Sequence, residues 1–452
     1  MSSEAQHVVV IPAPVQGHIN PMLQFSKRLA SKGVRVTILA PAYLTTSLQT
    51  KHGDLIQTEC ISEDDKPPHG IDELLEWFET IVSRSFRNLI DKMEGSGCPL
   101  KVVVYDSVLP WAQDLAQNHG LRGAAFFTQS CAVCGIYYLM YGGKLKVSTT
   151  ENSSVSLPSI MPVMGLQDLP SFFIDTQSYP SLSKIVINQS MNFQKAEWLL
   201  FNSFDNLEKE VVEWISHEGA IKTIGPTIPS MYLDKGLKDD KDYGMSLFKP
   251  NSEACIKWLD SRETGSVVYV SFGSLASLGE KQMEELAWGL MRSNCYFLWV
   301  VRTSEDSKVP KDFKSKASEK GLIVNWSPQL DVLAHPATGC FMTHCGWNST
   351  LEALSLGVPM VGMPQWSDQP TNAKYIMDVW ETGVRVKAGG DGIVTREEIE
   401  GCIREVMFGE RGNILKNNAL KWRKLAKEAV DEGGTTDKNI DEFISQLQIK
   451  LL

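Results

Sequence analysis

Short apolar runs that alternate with helix-period segments constrain the fold of this chain more than any other feature of its sequence. Each run is followed by a turn and then by a stretch with the spacing of an amphipathic helix. Continuous apolar runs of this kind are typical of strands in a parallel sheet that helices cover on both faces. In the N-terminal part, the runs and two of the helical stretches are His7 to Ile11, Val34 to Ala40, Val102 to Asp106, Met22 to Ser31 and Trp111 to His119.

A second series of the same kind begins after Trp258. Because 452 residues exceed what one hydrophobic core usually organises, two doubly wound α/β domains are expected. The apolar runs of the second series are Ser266 to Phe272, Tyr296 to Arg302, Gly321 to Asn325, Gly339 to Thr343 and Val358 to Gly362.

Residues 226–252 separate the two series. They contain Pro229 and the charged run Lys235 to Asp242 with little apolar periodicity, which predicts an exposed linker. The predicted boundaries are therefore 1–225 for the first domain, 226–252 for the linker, 253–435 for the second domain and 436–452 for a C-terminal helix that packs back on the first domain. Two such domains are expected to enclose a cleft at the C-terminal ends of their strands, where open parallel sheets bind ligands.

Charge and targeting signals restrict the partners and the location. The formal net charge of −10 leaves no basic patch, which argues against nucleic-acid and anionic-membrane partners. Residues Met1 to His7 contain no Lys or Arg and the apolar run after them is short, so no secretory signal is expected. The absence of about 18 consecutive apolar residues predicts no membrane span. We therefore expect a cytoplasmic monomer, in which the acidic runs Glu63 to Asp65 and Asp239 to Asp242 form solvated loops.

The 9 cysteines fit reduced, buried thiols better than a disulfide framework. Cys131 and Cys134 have a redox spacing, but the apolar, helix-like sequence around them favours a structural role. A zinc hypothesis also arises further along the chain, yet a strand-like run interrupts the candidate ligands and no second paired set accompanies them. No metal is therefore expected. The zinc candidates are His335, Cys340, His344 and Cys345.

The turn after the first apolar run contains a candidate general base. Pro21 suits the first helical position and Asn20 suits the N-cap, which places His18 at the end of the strand and against a helix N-terminus. The partial positive charge there disfavours imidazolium, so His18 is expected to be neutral and able to accept a proton. Asp106 is expected at the same sheet edge, where its carboxylate orients the other ring nitrogen. Alternatively, His18 caps a turn and Asp106 begins a helix.

The block from Trp326 to Gln369 carries the strongest signal in the second domain. Its middle reads as a strand, a tight turn and a helix start, in which Ser349 to Glu352 have the spacing of a capping box and Gly346 allows close backbone approach. The N–H groups of residues 347–349 are expected to form a phosphate site. A capping box needs no ligand, but several loop residues have little packing value, which favours a binding site. They are Trp326, His344, Trp347, Asp368 and Gln369.

This block resembles the donor-binding box of the plant family 1 UDP-glycosyltransferases, and Gly17 to Pro21 resembles the turn that holds their catalytic histidine. The similarity extends over essentially the whole chain. It implies the α/β GT-B fold, in which two Rossmann-like doubly wound domains face each other across a cleft, with the acceptor bound by the first domain and the UDP-sugar by the second. Further segments that follow the family's order are Gly225-Pro226, Trp258 to Asp260, Ser271 to Ser274 and Glu432 to Gly434.

The resemblance implies roles for individual residues. Trp326 stacks on uracil, the backbone of Ser327 reads the base edge, Gln329 lies near the ribose and Glu352 accepts both ribose hydroxyls. Positions that match phosphate contacts are Ser274, His344, Asn348 and Ser349. Positions that match sugar contacts are Trp347, Asp368, Gln369 and, less closely, Thr128. Glutamine at the end of the block resembles the glucose-preferring pattern, which implies UDP-glucose as the donor, with no other cofactor.

The implied reaction is a single inverting displacement without a metal, in which His18 removes the acceptor proton and Asp106 stabilises the imidazolium. The nearest branch of the family in plant secondary metabolism includes terpenoid, steroid and small aromatic acid glucosyltransferases. We therefore expect a steroid or triterpenoid hydroxyl as acceptor, with a phenol or a carboxylate as the alternative. Side chains that could line an apolar acceptor pocket are Trp77, Tyr137, Tyr138, Phe172, Phe173 and Met191.

Two other classes of protein share the twin α/β pattern. A nicotinamide-dependent dehydrogenase is disfavoured because neither first strand leads into G-x-G-x-x-G, and Gly273 to Gly279 misses that spacing. A nucleotide-sugar sensor would bind UDP-glucose without turnover. The presence of both His18 and Asp106 argues against the sensor.

Overall fold

Thirteen strands and sixteen α-helices make up the regular part of the computed structural model, which describes residues 6–41, 55–61, 68, 70–94, 98–145, 157–175, 177–244 and 250–448. The strands are β1 His7–Ile11, β2 Arg35–Ala40, β3 Ile56–Cys60, β4 Val102–Asp106, β5 Arg122–Phe127, β6 Trp198–Phe201, β7 Ile221–Thr223, β8 Val267–Ser271, β9 Tyr296–Val300, β10 Gly321–Val324, β11 Thr338–Thr343, β12 Met360–Gly362 and β13 Gly383–Arg385.

The α-helices are α1 Gln16–Ser31, α2 Ile71–Glu94, α3 Trp111–Asn118, α4 Cys131–Tyr141, α5 Ser171–Ile174, α6 Pro180–Asn188, α7 Lys209–Ile215, α8 Ser252–Asp260, α9 Glu280–Arg292, α10 Phe313–Ala317, α11 Gln329–Ala334, α12 Trp347–Leu356, α13 Gln369–Asp378, α14 Arg396–Phe408, α15 Glu410–Val430 and α16 Thr435–Leu447. Short 3-10 helices occupy Leu166–Asp168, Gln189–Asn192, Ser230–Tyr232 and Thr303–Lys308.

The described residues divide into two units, each built around one parallel sheet. The first unit takes its residues from Met1–Val163, Phe172–Leu247 and Glu428–Leu452, and the second from Met164–Ser171 and Phe248–Lys427. The strand orders are β3-β2-β1-β4-β5-β6-β7 and β10-β9-β8-β11-β12-β13. Both orders have the doubly wound form, so the predicted fold class of two Rossmann-like parallel sheets is confirmed.

In each sheet the strand order reverses between two neighbouring strands, β1 and β4 in the first and β8 and β11 in the second. Ile11 is paired with Tyr105 in the first sheet, and Thr343 with Ser271 in the second. Helices leave such a pair towards opposite faces, which opens a crevice at the C-terminal strand ends. The residues that follow these four strands are therefore in the position to bind ligand.

Helix α16 completes the core of the first unit, although it comes from the end of the chain. The Phe443 ring lies 5.9 Å from that of Phe25 in α1 and 5.0 Å from that of Trp198 in β6. All three side chains are buried. The division into units differs from the predicted boundaries at 164–171, which lie in the second unit, and at 226–244 and 428–435, which lie in the first.

Much of the predicted linker is folded against α1 in the first unit. Lys27 Nζ donates to Asp240 Oδ1 over 2.7 Å, and the two side chains are 8% and 5% exposed. Arg28 forms a bidentate pair with Asp234. The predicted solvated loop is therefore wrong at Asp240, because its ion-pair partner is far away in the sequence and local composition does not reveal it. The other acidic run, Glu63 to Asp65, lies outside the described residues.

None of the helices in the described part of the chain combines the length and the apolarity that a membrane-spanning segment needs.

Candidate active site

His18 and Asp106 lie at the switch point of the first sheet and form one hydrogen-bonded pair. His18 Nδ1 is 2.7 Å from Asp106 Oδ2, and the side chains are 27% and 0% exposed. Asp106 also accepts the backbone N–H groups of Val108, over 3.2 Å, and Ala13, over 3.4 Å. A buried carboxylate held in this way assigns the proton to Nδ1 and leaves Nε2 as the basic nitrogen of the ring.

The backbone around His18 differs from the sequence prediction. Helix α1 begins at Gln16 with Val15 as its N-cap, so the predicted N-cap at Asn20 and helix start at Pro21 are wrong. The Asn20 side chain instead accepts from Gln16 Nε2 over 2.5 Å. Local propensity is a weak signal that the tertiary context can override. His18 is nevertheless in the first turn, near the positive end of the helix dipole, as predicted.

Thr128, predicted as a sugar contact, lies beside the same ring. Its hydroxyl is 3.0 Å from His18 Nδ1, and the residue is 9% exposed. It follows β5, the neighbour of β4, which brings it to the same sheet edge. With the proton on Nδ1, the Thr128 oxygen is a second acceptor for that N–H and restrains the ring plane.

His344 lies at the switch point of the second sheet, between two glycines. A Cβ at Gly273 would lie 2.8 Å from His344 Cε1, and a Cβ at Gly346 would lie 2.5 Å from Nε2. Gly273 also has a φ of +70°, which favours glycine. Burial lowers the pKa of His344 from 6.5 to about 4, although the backbone carbonyl of Ser271 partly offsets this effect. The ring is therefore neutral at pH 7.

We expect the stability of the protein to fall as the pH decreases from 6.5 to about 4, because unfolded His344 is protonated in that range while the buried ring is not. His344→Asn is expected to remove about 2 kcal/mol of the difference in unfolding free energy between about pH 7 and pH 4.5. Urea unfolding at both pH values measures it, with the exposed His217→Asn as the control. An unchanged pH dependence in His344→Asn would contradict the burial argument.

Helix α12 starts directly after this glycine turn. Gly346 is its N-cap and Trp347 its first residue, so the capping box predicted at Ser349 to Glu352 is wrong. Ser349 is the third residue of the helix, and its N–H belongs to the first turn, where it has no partner within the helix. The N–H groups predicted to bind phosphate are therefore at the helix start.

A hydrogen-bonded network connects Glu352 to the sheet beneath it. Tyr269 in β8 is bonded to Ser327 Oγ over 2.8 Å and donates to Gln329 Oε1 over 3.0 Å. Gln329 Nε2 donates to Ser349 Oγ over 3.0 Å and to Glu352 Oε2 over 2.7 Å. The network fixes the amide of Gln329 and orients the carboxylate, which is buried at 4% exposure. Tyr269 was missed from the sequence, although a hydroxyl within an apolar strand needs a partner.

Tyr269→Phe is expected to weaken UDP binding about fivefold, because it removes the hydroxyl that donates to Gln329 Oε1 and so weakens the restraint on the Gln329 amide. The ring, which stacks on Phe341, is retained. Isothermal titration calorimetry with UDP measures the effect, and Tyr296→Phe in β9 is the matched control. Equal affinities in the two variants would contradict this role of the network.

Side-chain hydrogen bonds hold the loop that ends at Asp368 together with Gln369, the first residue of α13. Gln369 Oε1 accepts from the N–H groups of Gln365 and Trp366 over 2.9 and 3.1 Å, which leaves its amide hydrogens for other partners. Asn372 Nδ2 donates to Asp368 Oδ2 over 2.7 Å and to the carbonyl of Cys345 over 3.0 Å. Asn372 therefore connects this loop to the turn after His344, and sequence reasoning had missed it.

Trp347 corrects the argument that the aromatic residues of this block have little packing value. Its side chain is 3% exposed and its ring lies 6.0 Å from that of Trp380. The indole of Trp347 therefore has packing value in the second unit. Trp326, in contrast, is half-buried in the loop after β10.

Arg302 is a further residue that sequence reasoning missed. Its guanidinium donates to the carbonyls of Ser274 and Ala276 in the loop after β8. It also contributes to the lowered pKa of His344. The sequence signal for Arg302 is its position as the one charged residue at the end of the apolar run Tyr296 to Arg302.

The predicted acceptor side chains occupy different environments. The side chains of Tyr137 and Phe172 are 1% and 2% exposed and pack in the core. Neither therefore offers an exposed surface that an acceptor could contact. The Tyr138 ring is stacked on Phe193 at 5.3 Å. Trp77 in α2 and Phe173 in α5 are half-buried.

Met191, the sixth of these residues, lines a cavity of about 290 Å³ within the first unit. The cavity borders the loop after Asp106, where the Val108 N–H bonds that carboxylate. Most of its wall is apolar and three acidic side chains contribute to its lining. The lining residues are Leu75, Glu76, Glu79, Val108, Leu109, Pro110, Trp111, Asp114, Ile185 and Met191.

The cysteine and zinc hypotheses find no site. Burial raises the pKa of Cys131 and Cys134 well above the usual value, so neither forms the thiolate that redox chemistry requires. His335 is bonded to Asp260 and to the N–H of Ala337. Within the described ranges, no group of three or more His, Cys, Asp or Glu side chains is placed to hold a metal ion.

Two family models match the chain. The model described as "UDP-glucoronosyl and UDP-glucosyl transferase" matches residues 226–430, and the "Glycosyltransferase, N-terminal domain" matches residues 4–55. UDP-glycosyltransferase 74E2 of Arabidopsis thaliana is 50% identical over 98% of this chain and 99% of its own length. Mogroside I-E synthase of Siraitia grosvenorii is 47% identical over 98% of both chains.

Solved structures show the same fold. The crystal structure of Os79 from O. sativa in complex with UDP has a TM-score of 0.90 at 39% identity, over 97% of this chain and 100% of that one. A second structure of Os79, with U2F and a trichothecene, has a TM-score of 0.86 at 38% identity over the same shares of 97% and 100%. The chain is therefore an enzyme with the GT-B fold and belongs to the plant family 1 UDP-glycosyltransferases.

Proposed function

We propose that the protein is an inverting, UDP-glucose-dependent O-glucosyltransferase that acts on a hydroxyl of a neutral steroid or triterpenoid. The observation that carries this proposal is the 2.7 Å bond between His18 Nδ1 and the buried Asp106. An enzyme that transfers sugar to a hydroxyl needs a positioned base, whereas a nucleotide-sugar sensor does not. The pair therefore also argues against the sensor.

In the proposed reaction, His18 Nε2 takes the proton of the acceptor hydroxyl while its oxygen forms a bond to the anomeric carbon of glucose. The bond between that carbon and the β-phosphate oxygen breaks, and its electron pair leaves with UDP. Attack opposite the leaving group inverts the anomeric configuration. Asp106 stabilises the imidazolium, which then releases the proton to solvent.

The second unit is proposed to bind UDP-glucose. Trp326 stacks on uracil, the backbone of Ser327 bonds the base edge, and Glu352, oriented by Gln329, accepts the two ribose hydroxyls. The first turn of α12 and the neutral His344 supply N–H donors to the diphosphate, which suits a chain with a net charge of −10. The remaining proposed contacts are Ser274, Asn348 and Ser349 with phosphate, and Thr128, Asp368, Gln369 and the backbone of Trp347 with glucose.

The cavity that borders the loop after Asp106 is proposed to receive the acceptor. Its volume of about 290 Å³ is close to the lower end of small-molecule pockets, and its wall is mostly apolar. Glu76, Glu79 and Asp114 would repel a carboxylate, and burial next to Glu76 already raises the pKa of Glu79. A neutral polycyclic alcohol is therefore favoured over an aromatic acid.

Two relatives support this acceptor class. One is named for the synthesis of a mogroside, which is a triterpenoid glycoside, and the rice protein binds a trichothecene. The cytoplasmic location, the monomeric state and the metal-free reaction stay predictions, and unchanged activity in EDTA is the expected result for the last.

The test is a mass-spectrometric screen of the purified protein with UDP-glucose and a panel of steroid, triterpenoid, phenolic and aromatic-acid acceptors. A mass gain of one hexose with a steroid or triterpenoid, absent in His18→Ala, is the expected result. Transfer to phenols or acids in preference would overturn the acceptor class. Binding of UDP-glucose without any transfer would favour the sensor, and hydride transfer with added NADPH would revive the dehydrogenase.

A further inference from the structure

Ser367, in the loop directly before α13, has a left-handed backbone. Its φ is 60°, a conformation that is strained for a residue with a side chain. The strain is next to the two residues proposed to bind glucose. Strain of this kind persists only where the surrounding structure imposes it.

Two hydrogen bonds from Ser171 impose this conformation. The Ser171 N–H donates to the Ser367 carbonyl over 2.8 Å, and the Ser367 N–H donates to Ser171 Oγ over 2.6 Å. Both residues belong to the second unit. The two bonds are reciprocal, so Ser171 holds both sides of the strained residue.

The segment Met164–Ser171 is itself anchored within the second unit. Asp168 is 5% exposed, and its Oδ1 accepts from Arg385 Nη1 over 2.6 Å. The Thr371 hydroxyl, on α13, donates to the carbonyl of Asp168 over 2.7 Å. The chain on either side of the segment, up to Val163 and from Phe172, belongs to the first unit. The short segment Met164–Ser171 of the second unit thus places Ser171 next to the loop that contains Ser367.

We propose that Ser171 is a positioning residue for the sugar of the donor: it holds Ser367 in the left-handed conformation and thereby directs Asp368 and Gln369 towards glucose. This inference rests on the proposed donor site. The uracil, ribose and phosphate contacts lie elsewhere in the second unit, at Trp326, Glu352 and α12. Ser171 therefore affects recognition of the glucose and leaves recognition of the UDP unchanged.

Ser171→Ala removes the side-chain bond and keeps the backbone bond. The KM for UDP-glucose is expected to rise about fivefold, and the preference for UDP-glucose over UDP-galactose is expected to fall by a similar factor. The Kd for UDP, measured by calorimetry, is expected to stay within about twofold of the wild type. Ser261→Ala, an exposed serine with one local bond in the same unit, is the matched control.

Rescue separates positioning from a general loss of structure. Glycine adopts positive φ without strain, so Ser367→Gly in the Ser171→Ala background is expected to recover part of the lost affinity for UDP-glucose. Thr371→Val, which removes one anchor of the segment, is a second variant with the same expected pattern. Thr371→Val replaces Ser171→Ala as the test variant if Ser171→Ala strongly lowers the melting temperature.

An unchanged KM and an unchanged sugar preference in Ser171→Ala would overturn the inference. A parallel loss of affinity for UDP and UDP-glucose would also overturn it, because the effect would then not be specific to the sugar. If the wild type does not bind UDP-glucose, the proposed function itself fails. Binding in the wild type with no effect of Ser171→Ala leaves the proposed function intact and removes this inference.

Discussion

His18→Ala is expected to reduce kcat/KM for glucose transfer by about 10³- to 10⁴-fold, because it removes the base that takes the acceptor proton. Asp106→Asn is expected to cause a loss of at least about 10²-fold. The amide presents an N–H in place of an acceptor oxygen and removes the charge that stabilises the imidazolium. Initial rates of UDP release and product mass measure both effects.

The control for the first variant is His217→Ala, which removes an exposed histidine from the same unit. Calorimetry with UDP should give the same Kd in wild type, His18→Ala and Asp106→Asn, since the proposed UDP contacts belong to the second unit. If His18→Ala keeps more than about a tenth of the activity, His18 is not the base and the proposed mechanism is wrong.

Glu352→Ala is expected to weaken binding of UDP by roughly 100- to 10,000-fold. A carboxylate that accepts both ribose hydroxyls forms two charge-assisted hydrogen bonds of about 1.5 to 3 kcal/mol each. The substitution also leaves Gln329 Nε2 without the acceptor that it has at 2.7 Å. Calorimetric titration with UDP measures the loss directly, without a need for an acceptor.

A comparison with 2′-deoxy-UDP tests the specific role of Glu352. The wild type is expected to bind UDP more tightly than its 2′-deoxy analogue, and Glu352→Ala is expected to bind both with similar affinity. Glu319→Ala, at an exposed position of the same unit, is the control. A preference for ribose that survives in Glu352→Ala would show that other groups recognise the hydroxyls.

The tests of the two units are independent of each other. His18 acts on the acceptor proton, whereas Glu352 acts on the nucleotide, so the first changes the rate and the second changes donor affinity. A variant with both substitutions is expected to show both losses. A loss of UDP affinity in His18→Ala would indicate that His18 also affects nucleotide binding, which the proposed contacts do not predict.

Local sequence patterns predicted eight of the thirteen described strands, and β3, β5, β6, β7 and β13 were not among the predicted runs. The apolar runs at His7 to Ile11 and Val102 to Asp106 are strands with those bounds, because a strand buried on both faces has few polar positions. The chain order of the strands then placed His18 and Asp106 at one sheet edge. Their bond at 2.7 Å follows from the doubly wound topology, which the alternation of strands and helices had indicated.

Local patterns were less successful where a signal has two structural explanations. Asn20 and Pro21 read as a helix start, but α1 begins at Gln16. Ser349 and Glu352 read as a capping box, but both lie inside α12 and bond with Gln329. In each case the sequence contains the right residue types, while packing on the sheet decides the position of the helix.

The sequence by itself determined the two-sheet fold and the family, and it predicted the candidate base and the candidate donor block, because these depend on periodicity and on motifs of neighbouring residues. The tertiary structure decided which distant side chains meet. Lys27 meets Asp240, Ser171 meets Ser367 and Tyr269 meets Gln329 across long separations in the chain. A hydrogen bond depends on distances of a few tenths of an ångström in the folded state, and no local pattern in the sequence contains them.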